Sequence, residues 1–261
     1  MRVASIEYAV IKGAGMRTTQ SAPIEATGLA DDRRFVLFDR DATQLYAHRC
    51  PSLCGVNAEI GDGVLTVCVP SGETARGAIV HGRRVTAVGW DETGRDGRVV
   101  EGPFAALLSR HLRRPVWLLD LAESGRRGVD VEPLTLISIA SVDHLASRLG
   151  VPGLDHRRFR ATIVLAGAAE PHEEDGWIGT EVAAGLVRLR VTGPIPRCAV
   201  ITRDPDTGRR DADSLREIRR YRGTVTDEDG SRGIPFGVYA QVVRPGRLSV
   251  GDPVCVERVA S

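Results

Sequence analysis

Short segments in which apolar residues alternate with polar ones, or run four or five together, dominate this chain. "RVASIEYAV" (2–10) alternates at the two-residue period of a strand, and "RRFVLFD" (33–39) is an apolar run bounded by charge. The same reading predicts strands at "GVLTVCV" (63–69), "RRVTAV" (83–88), "VWLLD" (116–120), "PLTLISIA" (133–140) and "FRATIVLA" (159–166). Others follow at "GLVRLRV" (185–191), "CAVIT" (198–202), "FGVYAQVV" (236–243) and "DPVCVERV" (252–259). Three stretches carry a helical period instead. "GPFAALLSRHLRR" (102–114) places Phe104, Leu107, Leu108 and Leu112 on one side and stops before Pro115. "SVDHLASRLG" (141–150) opens on Ser141 as an N-cap and closes on Gly150. "ADSLREIRRYRG" (212–223) turns Leu215, Ile218 and Tyr221 or Arg222 inward. Its arginines read as a solvated face, with docking of an acidic partner as the alternative.

Many short strands with few helices do not build a doubly wound sheet. The pattern predicts a β-rich α+β fold, barrel-like and in two lobes. The polar, glycine-punctuated "ESGRRGVDVE" (123–132) separates them, giving domains at 1–122 and 123–261. A chain of 261 residues has ample core for this.

Composition narrows the function. With 35 basic and 34 acidic residues the formal charge is +1, which argues against a broad nucleic-acid surface. No apolar run approaches the ~18 residues that span a bilayer, and "MRVASIEYAVIKG" has no signal-peptide core. Five cysteines, an odd number, read as reduced thiols. The expectation is a cytoplasmic protein that engages neither nucleic acid nor membrane. All the positive charge is arginine except Lys12, a compact ammonium of the kind that phosphate sites use.

Familiar catalytic spacings are missing. Cys50 and Cys54 form CxxxC with Cys68 fourteen residues on, which is neither a paired CxxC zinc pattern nor a plant-type iron–sulfur loop. The six histidines are scattered without an HExxH, and "PHEEDGW" (171–177) reads as a solvated acidic loop. "GAGMRT" after Lys12 lacks the third glycine of a dinucleotide fingerprint and the Gly-Lys-Ser/Thr end of a P-loop. No G-x-S-x-G elbow is present, so a hydrolase reading rests on Cys198 alone.

The most pointed stretch is "GPIPRCAVITRDPDTG" (193–208). Pro194 and Pro196 fix two φ angles ahead of Arg197 and Cys198. A thiol beside a guanidinium is biased toward thiolate, the form that binds metals or attacks electrophiles. Around it the sequence offers dispersed cations, Lys12, Arg33, Arg34, Arg157, Arg158, Arg160 and Arg197, whose convergence on an anion no spacing can establish.

Four segments together resemble the MOSC family, a molybdenum-cofactor-binding domain preceded by a β-barrel partner. They are "IKGAGMRTTQSAPIEATGLADDRRFVLFD" (11–39), "DVEPLTLISIASVDHLASRL" (130–149), "RRFRATIVLAG" (157–167), and "RCAVITRDPDTGRR" (197–210) with the closing "FGVYAQVVRPGRLSVGDPVCV" (236–256). The resemblance implies an N-terminal β-barrel domain followed by a MOSC β-barrel domain with a few flanking helices. It implies that Cys198 ligates molybdenum, that Lys12, Arg33, Arg160 and Arg197 contact molybdopterin, and that Asp130 stands at the active-site mouth. Gly13, Val131, Glu132, Thr162 and Pro196 fall on further cofactor positions but depart from the family's usual residues. Gly13 and Pro196 stand where serines are frequent, Val131-Glu132 where a Thr-Ser pair is, and Thr162 where an asparagine is. The implied activity is reduction of N-hydroxylated or N-oxide substrates, as in the amidoxime-reducing members. No ferredoxin module follows the MOSC segment, so electrons are expected from a separate ferredoxin or flavoprotein reductase. The alternative is a non-catalytic carrier of the cofactor or of sulfur.

Overall fold

A computed structural model describes residues 1–89, 92–124, 127–226 and 232–257. Two β-rich lobes face each other, and strands from the first 29 residues lie in the sheets of the second. The large sheet runs Val254–Glu257, Glu181–Ala184, Val187–Arg197, Arg232–Arg244, Leu134–Ser138, Ile163–Ala166, Arg2–Tyr8 and Arg17–Thr19. Among its described pairings only Leu134–Ser138 with Ile163–Ala166 is parallel, which excludes a doubly wound fold. The sheet curls until Val3 N–H donates to the Asp252 carbonyl (2.9 Å) and Val254 N–H to that of Met1 (2.9 Å). A three-stranded sheet, Gly246–Ser249 with Ser21–Glu25 and Gly28–Leu29, packs beside it. Val3, Ile6, Ile24, Leu136, Ile163, Leu189 and Val238 fill the core between them.

The first lobe holds a four-stranded sheet (Phe35–Phe38, Trp117–Asp120, Gly94–Glu101, Val80–Val88) and a three-stranded one (Asn57–Gly61, Val64–Cys68, Thr74–Ala78). The segments "NAEIG", "TARGA" and "GRDGRVVE" carry few β-formers and are held as strands by pairing with stronger neighbours. Helix α1 (Phe104–Leu112) buries Phe104, Leu107, Leu108 and Leu112, the face its periodicity predicts. It ends on Arg113 at φ 53, two residues before Pro115.

Three local expectations are corrected. Ser138, not Ser141, caps α2 (Ile139–Leu149): its side chain accepts from Ser141 N–H (3.2 Å), so the strand ends two residues earlier than "PLTLISIA" suggests. Gly150 closes this helix at φ 68. "CAVIT" is not a strand. The ladder ends at Arg197 opposite Ile234, and Ala199–Thr202 form a 3-10 turn with Cys198 as its cap. That turn buries Ile201 against Ile218 of α3 (Ser214–Arg222). "PHEEDGW" is not a solvated loop either. Glu173–Trp177 is a 3-10 turn whose Glu174 is fully buried, accepting from Ser138 N–H (3.1 Å) and the Ser141 hydroxyl (3.0 Å).

Among the described residues no helix is long and apolar enough to cross a membrane. Residues 258 and 259 of the last expected strand, and 125 and 126 of the expected boundary, lie outside the described residues.

A cationic cavity between the lobes

Arg197 is the last residue of an eleven-residue strand that contains two prolines. Glu181–Ala184 pairs only with residues 187–190, so the proline-bearing end is an edge on that side, where a missing N–H costs nothing. Arg197 then turns its side chain back under the sheet. Its Nε donates to the Phe236 carbonyl (2.7 Å) and its Nη1 to that of Phe159 (2.6 Å). The guanidinium carbon lies 5.6 Å from the centre of the Phe159 ring, which stacks on Phe236 at 4.2 Å. Gly237 makes the approach possible: at φ +75 a Cβ there would sit 2.5 Å from the Leu136 carbonyl oxygen and 3.2 Å from Arg197 Nη2. That Nη2 is buried and has no hydrogen-bond partner among the described residues.

Arg160 arrives from a different direction. A 3-10 turn, His156–Phe159, capped by the Asp155 side chain, ends with Arg160 at φ 54. Its carbonyl accepts from Arg33 Nη2 (3.1 Å), while its guanidinium makes no hydrogen bond or ion pair to the protein among the described residues. Its Nη2 is likewise buried without a partner. Burial pushes the Arg160 guanidinium down to about 10, with Arg33 adding repulsion. Burial does the same to Arg197, again to about 10.

The first lobe supplies the opposite wall. The Lys12 N–H donates to the Phe35 carbonyl (2.8 Å), which fixes the turn that follows the first strand. Gly13 turns the chain at φ +85, where a Cβ would sit 2.8 Å from the Leu53 side chain. The Lys12 ammonium lies 5.2 Å from the Tyr46 ring centre and pairs with Asp130. Burial lowers it to about 8, against the opposing pull of Asp130 and with help from Arg33 and Arg95. Arg33 pairs with buried Asp32, which also accepts from Ala9 N–H (2.9 Å).

These groups line one open cavity of about 170 Å³. Lys12, Gly13, Arg33, Asp130, Glu132, Arg160, Pro196, Arg197 and Cys198 all border it. Residues separated by up to 185 positions are thus brought together, Lys12 to Arg197. Cys198 is exposed on the rim, and Asp130 is 41 % exposed at the mouth. Two expected positions do not line the cavity. Val131 points to solvent, and Thr162 is fully buried behind Thr135, its N–H donating to the Thr135 hydroxyl (2.9 Å). Thr135 borders the cavity in its place. Glu132 accepts from Gln241 Nε2 (2.8 Å), so its carboxylate is tied to the second lobe. Arg34, Arg157 and Arg158 stand elsewhere, paired with Asp120, Asp206 and Asp211. Sequence reasoning missed Tyr46, His48 and Tyr239, which also border the cavity. "YAHR" has no spacing signal that marks it as a site, and Tyr239 reads as an ordinary strand residue.

The donor set suits an anionic cofactor that carries its own metal ligands. Among the described residues, no group of three His, Cys, Asp or Glu side chains is placed to hold a metal ion. A metal at Cys198 therefore needs most of its shell from the cofactor, and a soft thiolate matches dithiolene-bound molybdenum. The two orphaned Nη2 groups, each costing about 1–3 kcal/mol while unpaired, match an anion such as a phosphate.

Comparison with known proteins agrees with this geometry. The MOSC domain profile matches residues 123–255 and the MOSC N-terminal beta barrel domain profile residues 1–114. Mitochondrial amidoxime-reducing component 1 of Mus musculus is 37 % identical over 128 residues, 48 % of this chain and 36 % of that protein. The molybdenum cofactor sulfurase of Anopheles gambiae is 28 % identical over 256 residues, 85 % of this chain and 31 % of that protein. The chain thus spans about a third of the length of these curated relatives. The YuaD protein of Bacillus subtilis superposes over 97 % of this chain and 93 % of its own at a TM-score of 0.46 and 11 % identity. The chain belongs to the MOSC family, whose domain binds the molybdenum cofactor.

Proposed function

We propose that this protein is a molybdenum-cofactor-dependent reductase of N-hydroxylated or N-oxide compounds, supplied with electrons by a separate ferredoxin or flavoprotein. The observation that carries this reading is the pair of buried guanidinium Nη2 groups, Arg160 and Arg197, that find no partner among the described residues beside an exposed Cys198. Bound here, the cofactor would supply two-electron redox chemistry at a metal able to accept oxygen. Arg160, Arg197 and Lys12 hold its anionic groups, and Cys198 provides the protein's thiolate to the metal. Arg33, anchored on Asp32, braces the Arg160 carbonyl and so fixes the turn that presents Arg160. Asp130 orients the Lys12 ammonium and, being exposed at the mouth, meets an entering substrate. Phe159 and Ile195 give the cavity apolar surface that limits water around the reacting centre.

The likeness to the mouse amidoxime-reducing component supports the substrate class. The test is reduction of benzamidoxime by the molybdenum-loaded protein with reduced methyl viologen as electron source. Turnover that depends on both metal and Cys198 is the expected result; a loaded protein that leaves a panel of N-hydroxylated compounds untouched overturns it. One observation favours a second reading, a carrier of the cofactor or of sulfur. The likeness to the mosquito sulfurase extends over 85 % of the chain, and Pro196 and Gly13 offer no side-chain hydrogen bond to the cofactor. A carrier would yield its cofactor to an acceptor apoenzyme and show no turnover.

A further inference from the structure

We infer that His48 is the proton donor of this cavity, delivering the proton that the substrate nitrogen takes up as its N–O bond breaks. The inference rests on the reductase reading. Reduction of R–NH–OH consumes two electrons and two protons and gives R–NH2 and water. The electron donor is oxidised, and nitrogen keeps the electron pair of the broken bond and must be protonated. The oxygen leaves as water with the second proton, taken from solvent.

Elimination points to His48 first. Cys198 is committed to the metal, and the cavity guanidiniums do not release protons at neutral pH. Lys12 is locked to Asp130, and Glu132 to Gln241. A phenol is a weaker acid than an imidazolium. The other histidines are used elsewhere. His81 bonds Asp120, His111 the Ser52 carbonyl, His156 Glu7 and His172 the Tyr221 hydroxyl, while His144 packs edge-on against Tyr221. His48 borders the cavity, and neither of its ring nitrogens has a protein hydrogen-bond partner among the described residues.

Geometry supports the role. The imidazole is braced against Tyr46 with ring centres 5.7 Å apart, on the wall that also presents Lys12. Being half-buried, it faces the cavity yet can be reprotonated from solvent. The charged groups around it are Arg49 and Arg203, which disfavour its cation, and Asp130, which favours it. Burial, the largest influence, also lowers it below the usual histidine value. His48 is therefore a stronger acid than free imidazole, charged on the acid side of neutrality. Turnover should climb as pH falls through its pKa and level off below.

The test compares molybdenum-loaded wild type, His48→Ala and His48→Gln, matched for metal content and melting temperature. The expected result is a fall of about 10²-fold in kcat for benzamidoxime, loss of the acid limb of the pH profile, and partial rescue of His48→Ala by added imidazole. Proton NMR gives a readout apart from turnover. The His48 ring resonance, assigned by its absence in His48→Gln, should shift when benzamidoxime binds the oxidised protein. Wild-type kcat and pH profile in both variants, with no imidazole effect, would overturn the inference. A loaded wild type inert toward every N-hydroxylated compound would instead overturn the reductase reading, and the role of His48 with it.

Discussion

Four arginines of the second lobe, two in the cavity wall and two outside it, have two different lives. Arg157 and Arg158 are neutralised. Arg157 makes paired bonds to Asp155 and Asp206, and Arg158, 4 % exposed, forks onto Asp211 at 3.0 and 3.1 Å. Among the described residues, Arg160 and Arg197 have no carboxylate partner: Arg197 is met by two carbonyls, and the Arg160 guanidinium by no hydrogen bond or ion pair. A buried ion left without a counter-charge costs several kcal/mol, so a protein keeps one only where something else supplies the charge. Arg158 is tied to Asp211 within the second lobe, whereas Arg160, two residues on, is left for the anion proposed above. Arg160 itself closes its 3-10 turn in the left-handed region, at φ 54.

The sharpest way to break this comparison is to exchange the charge for an isosteric apolar chain at each position. Arg160→Met should reduce co-purifying molybdenum and pterin at least about tenfold, the loss of one charge-assisted contact, without lowering the melting temperature. Arg158→Met should do the reverse: cofactor content unchanged, stability lower by about 1–3 kcal/mol in urea titration because Asp211 loses its partner. Equal cofactor loss in both variants would show that the arginines act as one diffuse field.

A smaller effect concerns acid. Burial raises the Asp155 carboxyl, but its bonds to Arg157 outweigh this and hold it below the usual carboxylate range. Its contribution to stability is therefore present at neutral pH and is lost as pH falls below about 4 through the lowered value. Arg157→Gln should flatten the acid limb of the stability curve, read from urea midpoints between about pH 5 and 2. A curve unchanged from wild type would show that the pair adds nothing.

The sequence made the participants legible, and only the structure made their arrangement so. Lys12 stands out because it is the sole lysine, and Arg197-Cys198 because two prolines precede it. The β-rich, two-lobed architecture follows from the alternation of short apolar runs. What no spacing carries is the pairing that sets Arg197 opposite Ile234, or the left-handed φ at Arg160. The same limit hid the 3-10 turn after Cys198: Val200, Ile201 and Thr202 are strand-formers that lack a partner strand. Glu174 reads as solvated because it sits in a run of three acidic residues, Glu173 to Asp175, while its real partners, Ser138 and Ser141, lie more than 30 positions away. Thr162 and Thr135 were exchanged for a related reason, since strand pairing decides which of two threonines faces the cavity.

The central claim is that a cavity with two uncompensated guanidiniums, Arg160 and Arg197, holds the molybdenum cofactor through Cys198. It is tested most directly by measuring molybdenum and pterin in wild type and Cys198→Ala, both produced in a host that makes the cofactor. Near-stoichiometric molybdenum in the wild type is the predicted result, with metal lost or its coordination spectrum altered in the variant. Two empty proteins, in a host that loads a control molybdoenzyme, would contradict the account and leave this MOSC fold serving another ligand.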